Sequence, residues 1–150
     1  MSQSPERPRR PVPKLADYPH RVNEIVRYGD LDPQGHVNNA VFATYFESGR
    51  VAMFRARNLG IGVQNANFAL ARQEIDFLRE LHWQDELIVA TALVAVGRTS
   101  FTLTQAIFEG DNCSATGRAV RVTLDAATRK PRPLPAEILA QLEPWKYRGE

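Results

Sequence analysis

The segment from Tyr28 to Asn39, which reads YGDLDPQGHVNN, concentrates side chains that can take part in acid–base or nucleophilic chemistry. Two carboxylates, Asp30 and Asp32, are separated by one residue, and His36 follows shortly after them. A carboxylate can attack a carbonyl carbon directly or take a proton from water. An imidazole can assist, because it titrates near neutral pH. The segment is therefore a candidate catalytic loop.

The composition of this segment predicts a loop that leads directly into a helix. Gly29, Pro33 and Gly35 are residues typical of turns. Asn38 or Asn39 can cap the helix, because an Asn side chain accepts a hydrogen bond from a free backbone N–H of the first turn. Unpaired N–H groups at a helix N-terminus also favour developing negative charge. A reactive carboxylate and a group that stabilises an oxyanion would then lie within a few residues of each other.

A helix is predicted over residues 39–59. Its apolar stripe recurs at helical spacing and consists of Val41, Phe42, Tyr45, Phe46, Gly49, Met53 and Ala56. Gly49, Ala52 and Ala56 are small, so a sheet can approach the helix closely there. Gly60 can adopt the left-handed conformation that ends a helix. At about 1.5 Å per residue the helix would be roughly 30 Å long and would cross the whole domain.

The rest of the chain has the pattern of β-strands. A first strand is predicted over residues 21–28, and four more follow the helix, over residues 68–79, 87–96, 99–109 and 113–124. The last four are expected to pair in succession as an antiparallel meander. A short closing helix is predicted over residues 136–142. This order of elements indicates an α+β protein, most economically a curved sheet wrapped around the long helix.

Length and composition restrict the class of protein. A chain of 150 residues with 43% hydrophobic and 24% charged residues is expected to form one ordinary globular domain. No apolar run approaches the roughly 20 residues of a transmembrane helix, and the N-terminus lacks the apolar stretch of a secretory signal. We therefore expect a cytoplasmic protein without a membrane partner.

The chain is predicted to consist of a flexible Pro- and Arg-rich leader over residues 1–19 and a single domain over residues 20–145. The net charge is only +2 and the basic clusters lie among prolines, which favours solvated chain over a nucleic-acid-binding surface. Cys113 is the only cysteine, which excludes an internal disulfide and a cysteine-based metal cluster. His20 and His82 have no partners at metal-ligand spacing, so no metal site is predicted.

The loop and the order of elements resemble the 4-hydroxybenzoyl-CoA thioesterase family of hotdog proteins. Its pattern is an aromatic residue followed by Asp-x-Asp-x-x-Gly, and the matching residues are Tyr28, Asp30, Asp32 and Gly35. Residues 36–39 resemble bacterial acyl-CoA thioesterases, and also the Asp-Leu-Asp-x-Asn-x-His-Val-Asn-Asn motif of plant acyl-carrier-protein thioesterases, from which Gln34 departs. The resemblance covers residues 21–142.

This resemblance implies a hotdog fold, in which a five-stranded antiparallel sheet wraps around one long central helix, and it implies thioester hydrolysis. It assigns the catalytic carboxylate to Asp32 and the oxyanion donor to the backbone N–H of Asn39. His36 would be a further catalytic residue, and Gly35 and Asn38 would lie beside the substrate. Hotdog relatives pair their sheets in dimers, so we expect a homodimer or homotetramer with active sites at the subunit interface.

Other assignments of these side chains stay open. Asp30 is the rival of Asp32, and its alternative role is to accept bonds from backbone groups and hold the loop. The alternative for His36 is a loop histidine bonded to a backbone carbonyl. Glu47 is a second rival, because another hotdog branch takes its catalytic acid from this helix. Its alternative role is an ion pair or a hydrogen bond, for which Arg50 at i+3 is the candidate partner.

The resemblance implies an acyl-CoA substrate and no separate cofactor, because coenzyme A is part of the substrate. The phosphates of coenzyme A need exposed cations, and the candidates on strands and turns are Arg72, Arg98, Arg118 and Arg121, of which Arg98 at a turn is the best placed. Their alternative role is to keep the surface soluble. Two other functions stay open: the same hydrolysis of acyl-carrier-protein thioesters, and a non-catalytic hotdog module that binds acyl thioesters. The carboxylate of Asp32 argues against the module, since binding alone does not need it.

Overall fold

The computed structural model describes residues 11–60 and 66–149, which contain one sheet and two α-helices. The strands are β1 (His20–Ile25), β2 (Ala66–Phe77), β3 (Glu86–Val96), β4 (Ser100–Glu109) and β5 (Asn112–Asp125). The helices are α1 (Asn39–Ala56) and α2 (Ala136–Leu142), and single 3₁₀ turns are formed by Leu15–Asp17, Tyr28–Asp30 and Glu143–Trp145. Every predicted strand and helix is present, with small shifts at its ends.

The five strands form one antiparallel sheet in the order β1-β3-β4-β5-β2. The predicted α+β arrangement of one sheet and one long helix is confirmed. The predicted meander of four strands is wrong, because β2 pairs with β5 at the far edge instead of with β3. Residues 78–85, here called the crossing segment, connect β2 to β3 across three strand spacings, about 14 Å. Eight residues can extend well beyond this distance, so β2 and β3 do not have to pair with each other as a hairpin.

Helix α1 packs across one face of the sheet. Its buried residues are Phe42, Tyr45, Phe46, Gly49, Arg50 and Met53. The close approach predicted at Gly49 is confirmed, because a Cβ there would lie 2.5 Å from Val89 Cγ1 and 3.3 Å from Thr91 Oγ1. Ala56 is exposed and does not take part in this contact. The helix therefore rests on the sheet at the position where its side chain is smallest.

The C-terminal end of α1 lies earlier than predicted. The helix ends at Ala56, and Asn58, with a φ of 52°, supplies the left-handed residue that follows it. The backbone N–H of Leu59 donates a 2.8 Å hydrogen bond to Phe54 O, which closes the last turn. Gly60 is also left-handed, with a φ of 81°, but it lies beyond this cap. The role of helix stop predicted for Gly60 therefore belongs to Asn58.

One charged side chain is buried between α1 and the sheet. Arg50 is 2% exposed, and its Nη1 donates a 3.0 Å hydrogen bond to Gln105 Oε1 on β4. Burial, together with the charge of Arg121, lowers the pKa of Arg50 to about 10, so the side chain stays protonated at neutral pH. The ion pair predicted between Arg50 and Glu47 is wrong, because no guanidinium nitrogen of Arg50 lies within 4.0 Å of a carboxylate oxygen of Glu47.

The described part of the predicted leader packs on the face of the sheet opposite α1. Leu15–Asp17 forms a 3₁₀ turn, and Tyr18 is 2% exposed, with its ring against Phe108 and Tyr147. Residues 1–10 lie outside the described part, so the division of the chain at residue 19 stays a prediction. Among the described residues, no helix is both long enough and apolar enough to span a membrane.

Candidate active site

The predicted catalytic loop and the crossing segment run side by side at the N-terminal end of α1. The backbone N–H of Val37 donates a 2.9 Å hydrogen bond to Leu81 O, and both side chains are buried in the same apolar cluster. His36 and His82 pair as an isolated antiparallel bridge. Main-chain bonds and core packing therefore fix the position of the loop relative to the crossing segment.

Asp30 is buried beneath the loop and bonded from two sides. Its Oδ2 accepts hydrogen bonds from the backbone N–H of Arg27 at 3.0 Å and from the hydroxyl of Tyr45 at 2.7 Å. Desolvation raises the pKa of Asp30, but these two donors and the charge of Arg27 outweigh it, so the pKa lies below its ordinary value. Asp30 thus connects the loop to α1, which is the alternative role that the sequence suggested for it.

Asp32 has different surroundings. It is half-buried, and its Oδ1 accepts hydrogen bonds from the backbone N–H groups of Gln34 at 2.8 Å and His36 at 3.3 Å. Within the described part of the chain, its Oδ2 has no hydrogen-bond partner. Gly35, with a φ of 84°, closes the turn in the left-handed conformation that its type allows. One oxygen therefore orients the carboxylate, and the other is free.

Helix α1 begins beside this carboxylate. Asn38 is the N-cap, one of the two predicted alternatives, and its Oδ1 accepts a 2.9 Å hydrogen bond from the N–H of Ala40. Its backbone oxygen accepts a bond from Val41. The N–H of Asn39, the first helical residue, has no hydrogen-bond partner among residues 11–60 and 66–149. At the positive end of the helix dipole, this N–H can stabilise negative charge.

These groups line a cleft of about 310 Å³. Its walls are formed by Asp32, Gln34, His36, Val37, Asn39, Phe42, Phe77, Leu78, Arg79 and Glu80. The rings of Phe42 and Phe77 lie 5.1 Å apart and give the cleft an apolar wall. Larger depressions, of about 390 and 600 Å³, lie elsewhere on the sheet, but neither adjoins the start of α1. The cleft brings together the three residues predicted to be catalytic, Asp32, His36 and Asn39.

The crossing segment contributes side chains that the sequence did not indicate. His36 Nε2 lies 3.1 Å from Glu80 Oε2, and His82 Nε2 lies 4.0 Å from the same oxygen. His82, which has no partner at metal-ligand spacing in the sequence, thus lies close to His36 and Glu80 in the fold. The sequence could not reveal this cluster, because it depends on the unexpected path of the chain between β2 and β3. The imidazole of His36 lies against a carboxylate, and among the described residues it has no hydrogen bond to the backbone carbonyl of its alternative role.

Three predicted residues do not reach the cleft within one chain. Arg72 pairs with Glu74 on β2, away from the cleft walls. Arg98 follows the far end of β3, whose eleven residues span about 35 Å from the crossing segment. Glu47 is exposed on α1 and does not line the cleft. Neither Arg72 nor Arg98 lies in the wall of this cleft.

Comparison with known proteins gives the family of this fold and site. The sequence pattern of the thioesterase-like superfamily matches residues 26–142, which include the loop, α1 and most of the sheet. The chain belongs to the thioesterase-like superfamily. A thioesterase of Thermus thermophilus, solved in complex with coenzyme A and Zn, is 37% identical, with a TM-score of 0.75 over 85% of this chain and 94% of that one. The predicted hotdog fold is thereby confirmed.

Two relatives are similar to this chain over at least 70% of its length. The YsmA protein of Bacillus subtilis (strain 168) is 32% identical over 107 residues, which are 70% of this chain and 72% of the relative. The acyl-CoA thioester hydrolase YbgC of Escherichia coli O6:H1 is 25% identical over 122 residues, which are 79% of this chain and 91% of the relative. This thioesterase-like protein is accordingly an enzyme of the thioester hydrolase class.

Proposed function

We propose that this thioesterase-like protein hydrolyses acyl-CoA, with Asp32 as the catalytic carboxylate and the backbone N–H of Asn39 as the oxyanion donor. One observation carries the proposal: Asp32 and Asn39 line the same cleft, and neither Asp32 Oδ2 nor the backbone N–H of Asn39 has a hydrogen-bond partner among the described residues. The choice of acyl-CoA is supported by two similar proteins, the acyl-CoA thioester hydrolase YbgC and the Thermus thermophilus thioesterase solved with coenzyme A.

Two chemical routes use the same carboxylate. In the first, the free oxygen of Asp32 attacks the thioester carbonyl carbon, the C–S bond breaks, and the resulting anhydride is then hydrolysed by water. In the second, Asp32 takes a proton from water, whose oxygen attacks the carbonyl while the thiolate of coenzyme A leaves and is protonated. Both routes place negative charge on the carbonyl oxygen. The N–H of Asn39 would stabilise that charge in either case.

His36, Gly35 and Asn38 complete the proposed site. The imidazole of His36 lines the cleft and would hold the thioester carbonyl or assist the attacking water. Gly35 has open space where a side chain would be, so the thioester can approach the main chain of the loop there. Asn38 holds the first turn of α1 in place through its bond to Ala40 and would lie beside the substrate.

The proposed enzyme is a homodimer or homotetramer with active sites between subunits. Strand β2 lies at the edge of the sheet, so one side of this twelve-residue strand has no β-pairing with the other described residues. Long unpaired edges are commonly protected by pairing with another strand. Phe77 and Leu78, at the end of β2, are each 49% exposed and line the cleft. A second copy would cover them, and it would also be the source of Arg72 or Arg98 as coenzyme A contacts.

Wild-type protein tests the substrate class directly. Release of free thiol is measured over a panel of aromatic, short-chain and long-chain acyl-CoA substrates and the matching acyl-carrier-protein thioesters. The proposal expects turnover of at least one acyl-CoA with a higher kcat/KM than its carrier-protein counterpart. The reverse preference would assign the protein to acyl-carrier protein. Binding without hydrolysis of any thioester would favour the non-catalytic module.

Arg79 is a cation in the cleft wall that the sequence did not single out. It is exposed and bonds Asn112 at 3.2 Å, so it can turn toward a phosphate of coenzyme A. Arg79→Ala is expected to raise KM for an acyl-CoA by roughly 2- to 5-fold, as for loss of one exposed charge contact. KM for a truncated acyl thioester without phosphates should not change. An equal effect on both thioesters would show that Arg79 does not contact the phosphates.

A further inference from the structure

A cluster of two histidines and one glutamate lies at the rim of the cleft. The ligand-type atoms of His36, Glu80 and His82 all lie within 4.8 Å of one another. Both imidazole Nε2 atoms face the same carboxylate oxygen, at 3.1 Å for His36 and 4.0 Å for His82. An ordinary histidine–carboxylate pair would involve only one imidazole, whereas this carboxylate has two beside it. Convergence of two imidazoles and a carboxylate on one point is typical of a metal site.

The main chain holds this cluster together. His36 and His82 form the isolated antiparallel bridge between the loop and the crossing segment, so their Cα atoms are fixed opposite each other. The N–H of His82 donates a 2.7 Å hydrogen bond to Asp85 Oδ2, and that oxygen lies 3.8 Å from His82 Nδ1. A carboxylate on the side of Nδ1 leaves Nε2 of His82 for a metal.

The distances fit a small divalent cation. Zinc binds imidazole nitrogen and carboxylate oxygen at about 2.0–2.2 Å, and two ligands on a tetrahedron of that size are about 3.4 Å apart. The observed separations of 3.1 and 4.0 Å lie on either side of this value. The side chains of Glu80 and His82 are 65% and 56% exposed, so small rotations can adjust them without disturbing the core.

We propose that His36, Glu80 and His82 bind one divalent cation of the zinc class. Two imidazoles and one carboxylate leave a coordination position for water or a substrate oxygen. His36 and Glu80 also form part of the cleft wall, so the cation would lie at the mouth of the cleft that contains Asp32. The site adds metal binding to an enzyme whose proposed hydrolysis depends on Asp32 and Asn39.

The test uses the full chain without an affinity tag, after removal of metal with a chelator. Zn²⁺ is titrated by calorimetry, and Co²⁺ is titrated by its visible absorption, which reports a site with four or five ligands. The proposal expects one Zn²⁺ per chain. His82→Gln and Glu80→Gln should each weaken Zn²⁺ binding by at least about 10-fold and abolish the intense Co²⁺ bands. Glu86→Gln removes an exposed carboxylate outside the cluster and should bind like the wild type.

Two outcomes would overturn the metal site. One is wild-type protein that binds no Zn²⁺ at millimolar concentration. The other is binding that His82→Gln and Glu80→Gln leave unchanged, when thermal unfolding of the metal-free variants shows that they are folded. Neither readout involves a substrate, so the site can fail while thioester hydrolysis is retained. Conversely, loss of hydrolysis in Asp32→Asn would leave Zn²⁺ binding intact.

Discussion

Two aspartates of the loop, only one residue apart, have opposite surroundings. Asp30 is 7% exposed, and its carboxylate is occupied by the N–H of Arg27 and the hydroxyl of Tyr45. Asp32 lines the cleft and has one oxygen without a partner among the described residues. A substrate could contact Asp30 only after a conformational change of the loop, whereas it can contact Asp32 by entering the cleft. The environment of each carboxylate therefore supports a structural role for one and a chemical role for the other.

The structural role of Asp30 gives a prediction about stability and pH. The pKa of Asp30 is lower in the folded than in the unfolded chain, so its ionised form stabilises the fold above the unfolded pKa, near 4. This contribution is lost as the pH falls through the folded pKa. Asp30→Asn should lower the free energy of unfolding by about 1 kcal/mol at pH 7, measured by urea denaturation. The difference from wild type should shrink as the pH falls below the unfolded pKa and through the lower folded pKa.

A difference between wild type and Asp30→Asn that stays constant with pH would contradict this role for the charge. Asp32→Asn is the matched control, because its amide oxygen can still accept the bonds from Gln34 and His36. It should unfold like the wild type.

At the residue scale, the sequence indicated the cleft residues that belong to the loop and did not indicate those that lie outside it. Asp32, His36 and Asn39 are close in sequence, so one motif contains them all, and the local turn at Gly35 brings them to one cleft. Arg79, Glu80 and His82 follow β2 without any motif. Their contacts depend on where β2 pairs, and the sequence pattern alone predicted the wrong neighbour for that strand.

At the scale of elements, the position of α1 on the sheet sets the geometry of the cleft. Gly49 lies where the helix comes closest, and a Cβ there would be 2.5 Å from the buried Val89. Gly49→Ala gains helix propensity of about 1 kcal/mol. Crowding of a core typically costs about 1–3 kcal/mol, and a 2.5 Å contact with a buried side chain puts the cost here at about 2–3 kcal/mol. We expect a net loss of about 1–2 kcal/mol in the free energy of unfolding, measured by chemical denaturation.

The matched control is Ser48→Ala, at an exposed position of the same helix. It should leave the stability unchanged or raise it slightly, because only helix propensity changes. A Gly49→Ala protein as stable as the wild type would show that α1 can move away from β3 without cost. Such a result would contradict the close packing that fixes the start of the helix beside Asp32.

The sequence predicted the elements better than it predicted their pairing. Hydrophobic periodicity gave each strand to within about three residues, because burial of alternate side chains repeats along the chain. Periodicity has no information on which strands are neighbours. Because consecutive strands are commonly neighbours, β2 was predicted to pair with β3. In the structure the crossing segment carries the chain from β2, at one edge of the sheet, to β3, three strands away.

At the scale of the whole molecule, the open edge at β2 and the exposed apolar residues beside the cleft predict self-association. Light scattering after gel filtration should give at least twice the chain mass of 16.9 kDa. If the partner completes the site, activity per chain should fall on dilution at the concentration where the mass falls to that of a monomer. A monomer with full activity at all concentrations would contradict an active site between subunits.

The most direct test of the proposed chemistry is steady-state hydrolysis of the best acyl-CoA substrate by Asp32→Asn. The variant keeps the acceptor that orients the loop, so it should fold normally while kcat/KM falls by at least about 100-fold. Glu47→Gln, which changes a carboxylate on α1 outside the cleft, should keep wild-type activity. Undiminished hydrolysis by Asp32→Asn, or loss of hydrolysis only in Glu47→Gln, would contradict catalysis by Asp32.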